Sequence, residues 1–152
     1  MTPIDAIHAV PNGSQVLPGL LTGGQPDRRQ LEALRREGVA MVVDQREAVE
    51  PRGYDEAAEA TRLGMAYVAA PVGPRTRDDA TIDAVRDALR RAEGPVLVHC
   101  ASGNRIWAAL IAHLVLDHGF DQEDAVEVAV RHGLRSPDIL QWALDYLARQ
   151  RG

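Results

Sequence analysis

The chain has 152 residues, 45% of them hydrophobic and 26% charged, with a formal net charge of −5. That length fits one domain around a single core. The acidic balance offers no basic field for nucleic acid, and no apolar run is long enough to span a bilayer. All 17 basic residues are arginine, so lysine Schiff-base chemistry is excluded. The N-terminus lacks the basic-then-apolar pattern of a signal peptide. The single cysteine, Cys100, has no intramolecular partner. A reducing, cytoplasmic setting is the expectation.

In chain order, residues 1–19 read as irregular, with Pro11, Asn12, Gly13, Pro18 and Gly19 as breakers. Leu20 to Thr22 reads as a short edge strand, and Gly23-Gly24-Gln25-Pro26 as a turn. Leu31 and Leu34 mark the apolar stripe of a helix over 27–37, stopped by Gly38. Val39 to Val43 is a buried strand ending at Asp44. A helix over 54–63, a strand over 66–69 and a Pro/Gly loop from Pro71 to Pro74 follow. Ile82, Val85 and Leu89 set the stripe of the next helix, and Val96 to Val98 the next strand. Three helices close the chain, over 104–118, 121–132 and 136–150. Strands alternating with helices predict an α/β fold of three layers, a small central parallel sheet flanked by helices. The whole of 1–152 reads as a single domain. Ile106–Leu116, apolar almost all round, is expected to be the buried central helix.

The run Val96-Leu97-Val98-His99-Cys100-Ala101-Ser102-Gly103-Asn104-Arg105 carries the chemistry. A strand ends in a thiol, a tight loop follows, and an arginine opens an apolar helix. Inward N–H groups at such a helix mouth make an anion cradle. The positive helix end and Arg105 both favour the thiolate, the reactive form, so a partly accessible, reactive thiol is expected. In open α/β sheets ligands lie beyond the carboxyl ends of strands, where Asp44, the Pro71–Arg77 loop and Cys100 all fall.

The same unit resembles the phosphate loop of cysteine-dependent protein phosphatases. More of the chain, about 16–146, resembles a bacterial family related to dual-specificity and tyrosine phosphatases, whose domain also occurs in beta-lactamase-hydrolase-like proteins. Gly24-Gln25-Pro26, Val42-Val43-Asp44-Gln45-Arg46, Tyr67 through Pro71-Val72, the cysteine loop and Gly133 through Pro137 carry that resemblance. It implies a cysteine-phosphatase fold and a phosphocysteine route on phosphate monoesters, without cofactor or metal. Cys100 is then the nucleophile, and Arg105 grips the phosphoryl oxygens. Residues Ala101, Ser102, Gly103 and Asn104 line the loop, and His99 fixes it. The partner is a phosphorylated substrate or a small anion.

Three departures leave alternatives open. Only four residues separate Cys100 from Arg105, where the classical pattern has five. Ile106 stands where Ser or Thr usually follows the arginine. The loop from Ala70 to Thr76 has no acid; Asp78 and Asp79 come next and read better as helix caps. Asp44 is a third candidate acid or a structural acceptor. Arg46 and Gln25 are candidate accessory groups beside the loop. The four-residue spacing also resembles rhodanese-type sulfurtransferases, where the cysteine carries a persulfide. A non-catalytic phosphate-binding module is the third reading. His8, His113, His118 and His132 show no metal-like spacing with a carboxylate or cysteine partner.

Overall fold

In the computed structural model, which describes residues 3–151, the apolar runs of the sequence become short strands of one sheet. The strands are β1 (Ser14–Leu17), β2 (Leu20–Gly23), β3 (Met41–Asp44), β4 (Ala66–Ala69) and β5 (Val96–His99). Every residue of β2, β3 and β5 is buried. The order in the sheet is β1-β2-β5-β3-β4, parallel throughout except for β1. The helices are α1 (Arg28–Arg36), α2 (Glu56–Arg62), α3 (Asp79–Arg91), α4 (Trp107–His118), α5 (Gln122–Arg131) and α6 (Pro137–Arg151).

The two faces of β5 show how the layers form. Val96 and Val98 face one way, into a cluster with Ile82, Val85, Leu110 and Tyr146 of α3, α4 and α6. Leu97 faces the other way, toward Ile7, Leu31, Leu34 and Ala60. This alternation is the period of a strand sandwiched between helix layers. Within α4, Trp107 through Val115 are all buried, as the run, apolar except at His113, predicted. Among the described residues no helix is long and apolar enough to cross a membrane.

Residues 3–19 are not irregular, which corrects the sequence reading; residues 1 and 2 lie outside the described residues. Asp5–Ala9 is a short 3-10 helix, and β1 pairs antiparallel with β2. Pro18 and Gly19, read as breakers, are the turn of that hairpin. Gly19 has φ +81°, the left-handed conformation such a turn needs after proline. Leu20–Gly23 is therefore an inner strand, and β1 is the edge. Helix α4 begins at Trp107 instead of Asn104, because 104–106 still belong to the loop.

The register sets what meets at the working end of the sheet. Gly23 and Asp44 both stand opposite His99, the last residue of β5. Two glycines give the backbone room just beyond. A Cβ on Gly24 would lie 2.4 Å from the Ala101 oxygen, and one on Gly133 would lie 2.6 Å from the Gly103 oxygen. Gly133 also has φ +124°. Gly24→Ala and Gly133→Ala should each destabilise the fold by about 1–3 kcal/mol through overpacking against the loop. Thermal or denaturant unfolding checks this; unchanged stability in both variants would contradict the close packing.

Candidate active site

Cys100 follows the central strand directly, and its N–H donates to the Gly23 oxygen at 3.3 Å. The thiol is 1% exposed, so it is buried where partial access was expected. It lies under its own loop. The Gly103 N–H points back to the Cys100 Sγ at 3.2 Å, which Gly103 achieves at φ +87°. The N–H groups of Ala101, Ser102, Asn104 and Arg105 donate to no acceptor among the described residues. These donors are available to a ligand.

The loop is strapped from outside. Gln25 N–H donates to the Ala101 oxygen at 3.2 Å, and Asn12 Nδ2 to the Ser102 oxygen at 2.9 Å. Asn104 Oδ1 accepts from the N–H groups of Arg135 and Ser136, while its Nδ2 donates to Ser136 Oγ. The Asn104 side chain therefore points backward and staples the loop to the turn before α6. Arg135 Nη2 donates to Ser102 Oγ at 2.9 Å.

Arg105 is held by Glu50, a residue that no sequence pattern singled out. Its Nη1 donates to Glu50 Oε2 at 2.7 Å and to the Val72 oxygen at 2.9 Å; its Nη2 donates to Glu50 Oε1 at 2.8 Å. A guanidinium has five N–H donors. Three are used, so the Nε edge with the second Nη2 proton remains, a complete bidentate edge. Glu50 thus fixes Arg105 through its Nη1–Nη2 fork and leaves the Nε–Nη2 edge free. The hydrogen bond from Arg105, with lesser help from the Glu47 N–H and Arg46, holds the Glu50 carboxyl down at about 2. Glu50 in turn raises the Arg105 pKa, with Cys100 a smaller contributor. Glu50 lies in a loop, 47–53, with no periodicity to mark it.

Behind the thiol lies a buried polar network. His99 Nδ1 is 3.1 Å from the Cys100 oxygen; a carbonyl only accepts, so Nδ1 carries a proton. His99 Nε2 is 2.5 Å from Glu56 Oε2, close enough that a proton must lie between them. Gln25 Nε2 donates to Glu56 Oε1 at 2.6 Å, and Arg46 Nη1 donates to Gln25 Oε1 at 2.9 Å. Asp44 accepts from the Arg46 N–H, Arg52 Nε and the Tyr67 hydroxyl. Burial first, and then Asp44, keep the Tyr67 phenol protonated. Asp44, Glu56 and His99 bring potential ligand atoms within 4.8 Å of one another. Each already has protein donors or acceptors, and Arg52 supplies the cation, so the cluster is complete as a hydrogen-bond network. Gln25 and Arg46 belong to it. Glu56 and Arg52 were missed, since a helical Glu and a loop Arg look like solvated charges.

The candidate acids are committed elsewhere. Asp78 caps α3 by accepting from the Ala80 N–H at 2.8 Å. Asp79 accepts from Arg149 Nε and Nη2 at 2.6 and 2.8 Å, and from Trp142. Asp44 is the structural acceptor just described. Over the acid-free loop, the Glu47 carboxylate packs on Gly73, where a Cβ would approach it to 2.2 Å.

The comparisons agree with this geometry. Residues 16–113 match the family described as beta-lactamase hydrolase-like protein, phosphatase-like domain. A beta-lactamase hydrolase-like protein of Xylella fastidiosa is 30% identical over 138 residues, covering 79% of this chain and 32% of that protein. The chain thus spans about a third of that relative's length. Dual specificity protein phosphatase 26 of Rattus norvegicus is 30% identical over 128 residues, covering 80% of this chain and 59% of that one. A crystal structure from Shewanella putrefaciens superposes with TM-score 0.83 at 22% identity, over 97% of this chain and 98% of that one. TpbA of P. aeruginosa, in complex with pTyr, superposes with TM-score 0.69 at 23% identity, over 96% of this chain and 85% of that one.

Glu50→Gln should leave the fold intact but weaken tungstate or phosphate binding by roughly tenfold, because an uncharged amide holds the arginine fork less firmly. The pair also fixes a pH window. A carboxyl depressed to about 2 contributes stability that is fully present above its unfolded value of 4.5 and is lost as pH falls toward 2. Acid unfolding of wild type and Glu50→Gln should converge there. Tighter anion binding by the variant would show that Glu50 competes for the fork.

Proposed function

The chain belongs to the family of beta-lactamase hydrolase-like, phosphatase-like domains, and from that premise we propose that it hydrolyses phosphate monoesters through a phosphocysteine at Cys100. The observation that carries this reading is the loop itself. A thiol touches the Gly103 N–H at its floor, further N–H donors are unpaired, and one edge of Arg105 is held ready above it.

The chemistry follows from that arrangement. The Cys100 thiolate attacks phosphorus in line; the S–P bond forms as the P–O bond to the leaving group breaks, and the electron pair departs with that oxygen. The loop N–H groups and Arg105 hold the charge spread over the equatorial oxygens. His99, with its proton shared toward Glu56, fixes the carbonyl of Cys100 and is a positioning residue, not a base. Water then attacks phosphorus, the S–P bond breaks, and thiolate and inorganic phosphate are regenerated. With Ile106 after the arginine, no hydroxyl from that position assists the second step. A phosphorylated protein or other phosphomonoester is the substrate class, in keeping with the neighbour bound to pTyr. The setting is cytoplasmic, and residues 1–152 act as one domain.

A second reading, persulfide carriage of the rhodanese kind, is favoured by the four-residue loop between Cys100 and Arg105. Leaving-group dependence separates the two. With Asp44, Asp78 and Asp79 engaged elsewhere, an aryl phosphate should turn over and an alkyl phosphate barely react; general-acid help is typically worth about 10²–10⁴ in rate. Cys100→Ser should abolish aryl turnover, and Asp79→Asn should leave it nearly unchanged. An enzyme that ignores aryl phosphate yet transfers sulfur from thiosulfate to cyanide would establish the second reading. A protein that binds phosphate and does neither would be a binding module.

A further inference from the structure

At the end of β5 away from Cys100, two histidines near the C-terminus of α4 face each other. The Nε2 atoms of His113 and His118 are 3.1 Å apart. His113 is 6% exposed, and His118 is exposed. His113 Nδ1 lies 2.9 Å from Asp117 Oδ2. The sequence reading found no carboxylate partner for these histidines, and that expectation is corrected here: one helical turn brings Asp117 onto His113.

Hydrogen-bond logic fixes the state of the inner ring. Burial pushes the Asp117 carboxyl up, but hydrogen bonds from Arg86 and His113 outweigh it and hold it at about 2. Asp117 is therefore ionised and can only accept, so His113 Nδ1 carries the proton. Arg86 donates to both Asp117 oxygens, at 3.0 and 2.8 Å, which leaves the carboxylate as the acceptor for His113 Nδ1. The His113 Nε2 then offers a lone pair toward His118. The ring planes cross at 83° with centroids 4.6 Å apart. That is too close for the two ring axes to be collinear across a 3.1 Å contact, so the rings meet at an angle.

We propose that His113 and His118 form a two-histidine site for a divalent transition-metal ion of the zinc type, with Asp117 as the carboxylate that orients His113. An ion bonded to both Nε2 atoms at about 2.0–2.1 Å closes the 3.1 Å gap at an apex angle of roughly 100°. Carboxylate, histidine and metal in line is the recurrent way such a ring is oriented and made more basic. Two neutral imidazoles select zinc, nickel or copper over magnesium or calcium. The remaining positions face a groove of about 460 Å³ bounded by Gly19, Leu89, Glu93, Pro95 and the end of α4. Arg86 and Arg90 face Asp117, and Arg86 is further held by Tyr146, so both nearby cations already have partners. His118 needs only to move its ring proton from Nε2 to the other nitrogen; no net proton is released.

Zinc titration by calorimetry tests the site, with a Cys100→Ser background to remove thiolate-bound metal. Cys100→Ser should bind one zinc in the micromolar range, and adding His118→Ala should weaken it by roughly tenfold or more. His118 is exposed, so this variant keeps its fold. Two results would overturn the proposal: no saturable binding by Cys100→Ser below millimolar zinc, or equal affinity in the doubly substituted protein.

Discussion

Residues 100–106 must leave the central strand, turn, and enter a helix buried from Trp107 to Val115, while most of their N–H groups donate to no acceptor among the described residues. Unpaired backbone donors near a core are costly. The surrounding structure holds them in place from several directions. The turn at Gly23-Gly24 holds one side, Asn12 and Arg135 hold Ser102, and Asn104 ties the loop to the start of α6. Gly24 and Gly133 are glycines because a side chain at either would collide with the loop backbone. The three-layer fold matters to function chiefly because it makes this one turn rigid.

A second constraint is electrostatic. Beneath and beside the thiol lie Asp44, Glu56 and His99, all buried, together with Arg46, Arg52, Glu50 and Arg105. Buried charges survive only when each is paired and its remaining hydrogen bonds are met. Here Arg52 reaches Asp44 and Glu56, and Arg46 bridges Glu50 and Gln25. The arginines suit this work because a planar fork can serve two acceptors at once. The network joins Arg105, through Glu50, Arg46 and Gln25, to Glu56 and His99 behind the cysteine.

Much of the fold could be read from the sequence because its signals are local. Val96 to Val98 and Ile106 to Leu116 are apolar in patterns that a buried strand and a buried helix satisfy. The hairpin at Pro18-Gly19 was not legible, because β1 is a half-buried edge of four residues, Ser14-Gln15-Val16-Leu17, without apolar–polar alternation. In the site, the loop from Cys100 to Arg105 was visible because the strand, the tight turn at Gly103 and the apolar helix that bound it are contiguous in sequence. Glu50 and Glu56 were not, since their roles arise when the β3–α2 loop and α2 fold over β5, 43 or more residues away in sequence. The burial of Cys100 was likewise invisible, because exposure is set by what packs over a loop.

Covalent phosphorylation of Cys100 is tested most directly by rapid acid quench during turnover of an aryl phosphate, followed by mass spectrometry of the peptide containing Cys100. The phosphocysteine route predicts one phosphoryl group on the cysteine sulfur, absent in Arg105→Ala and in Cys100→Ser. An unmodified cysteine during active turnover, or a sulfur adduct in place of the phosphoryl group, would contradict it.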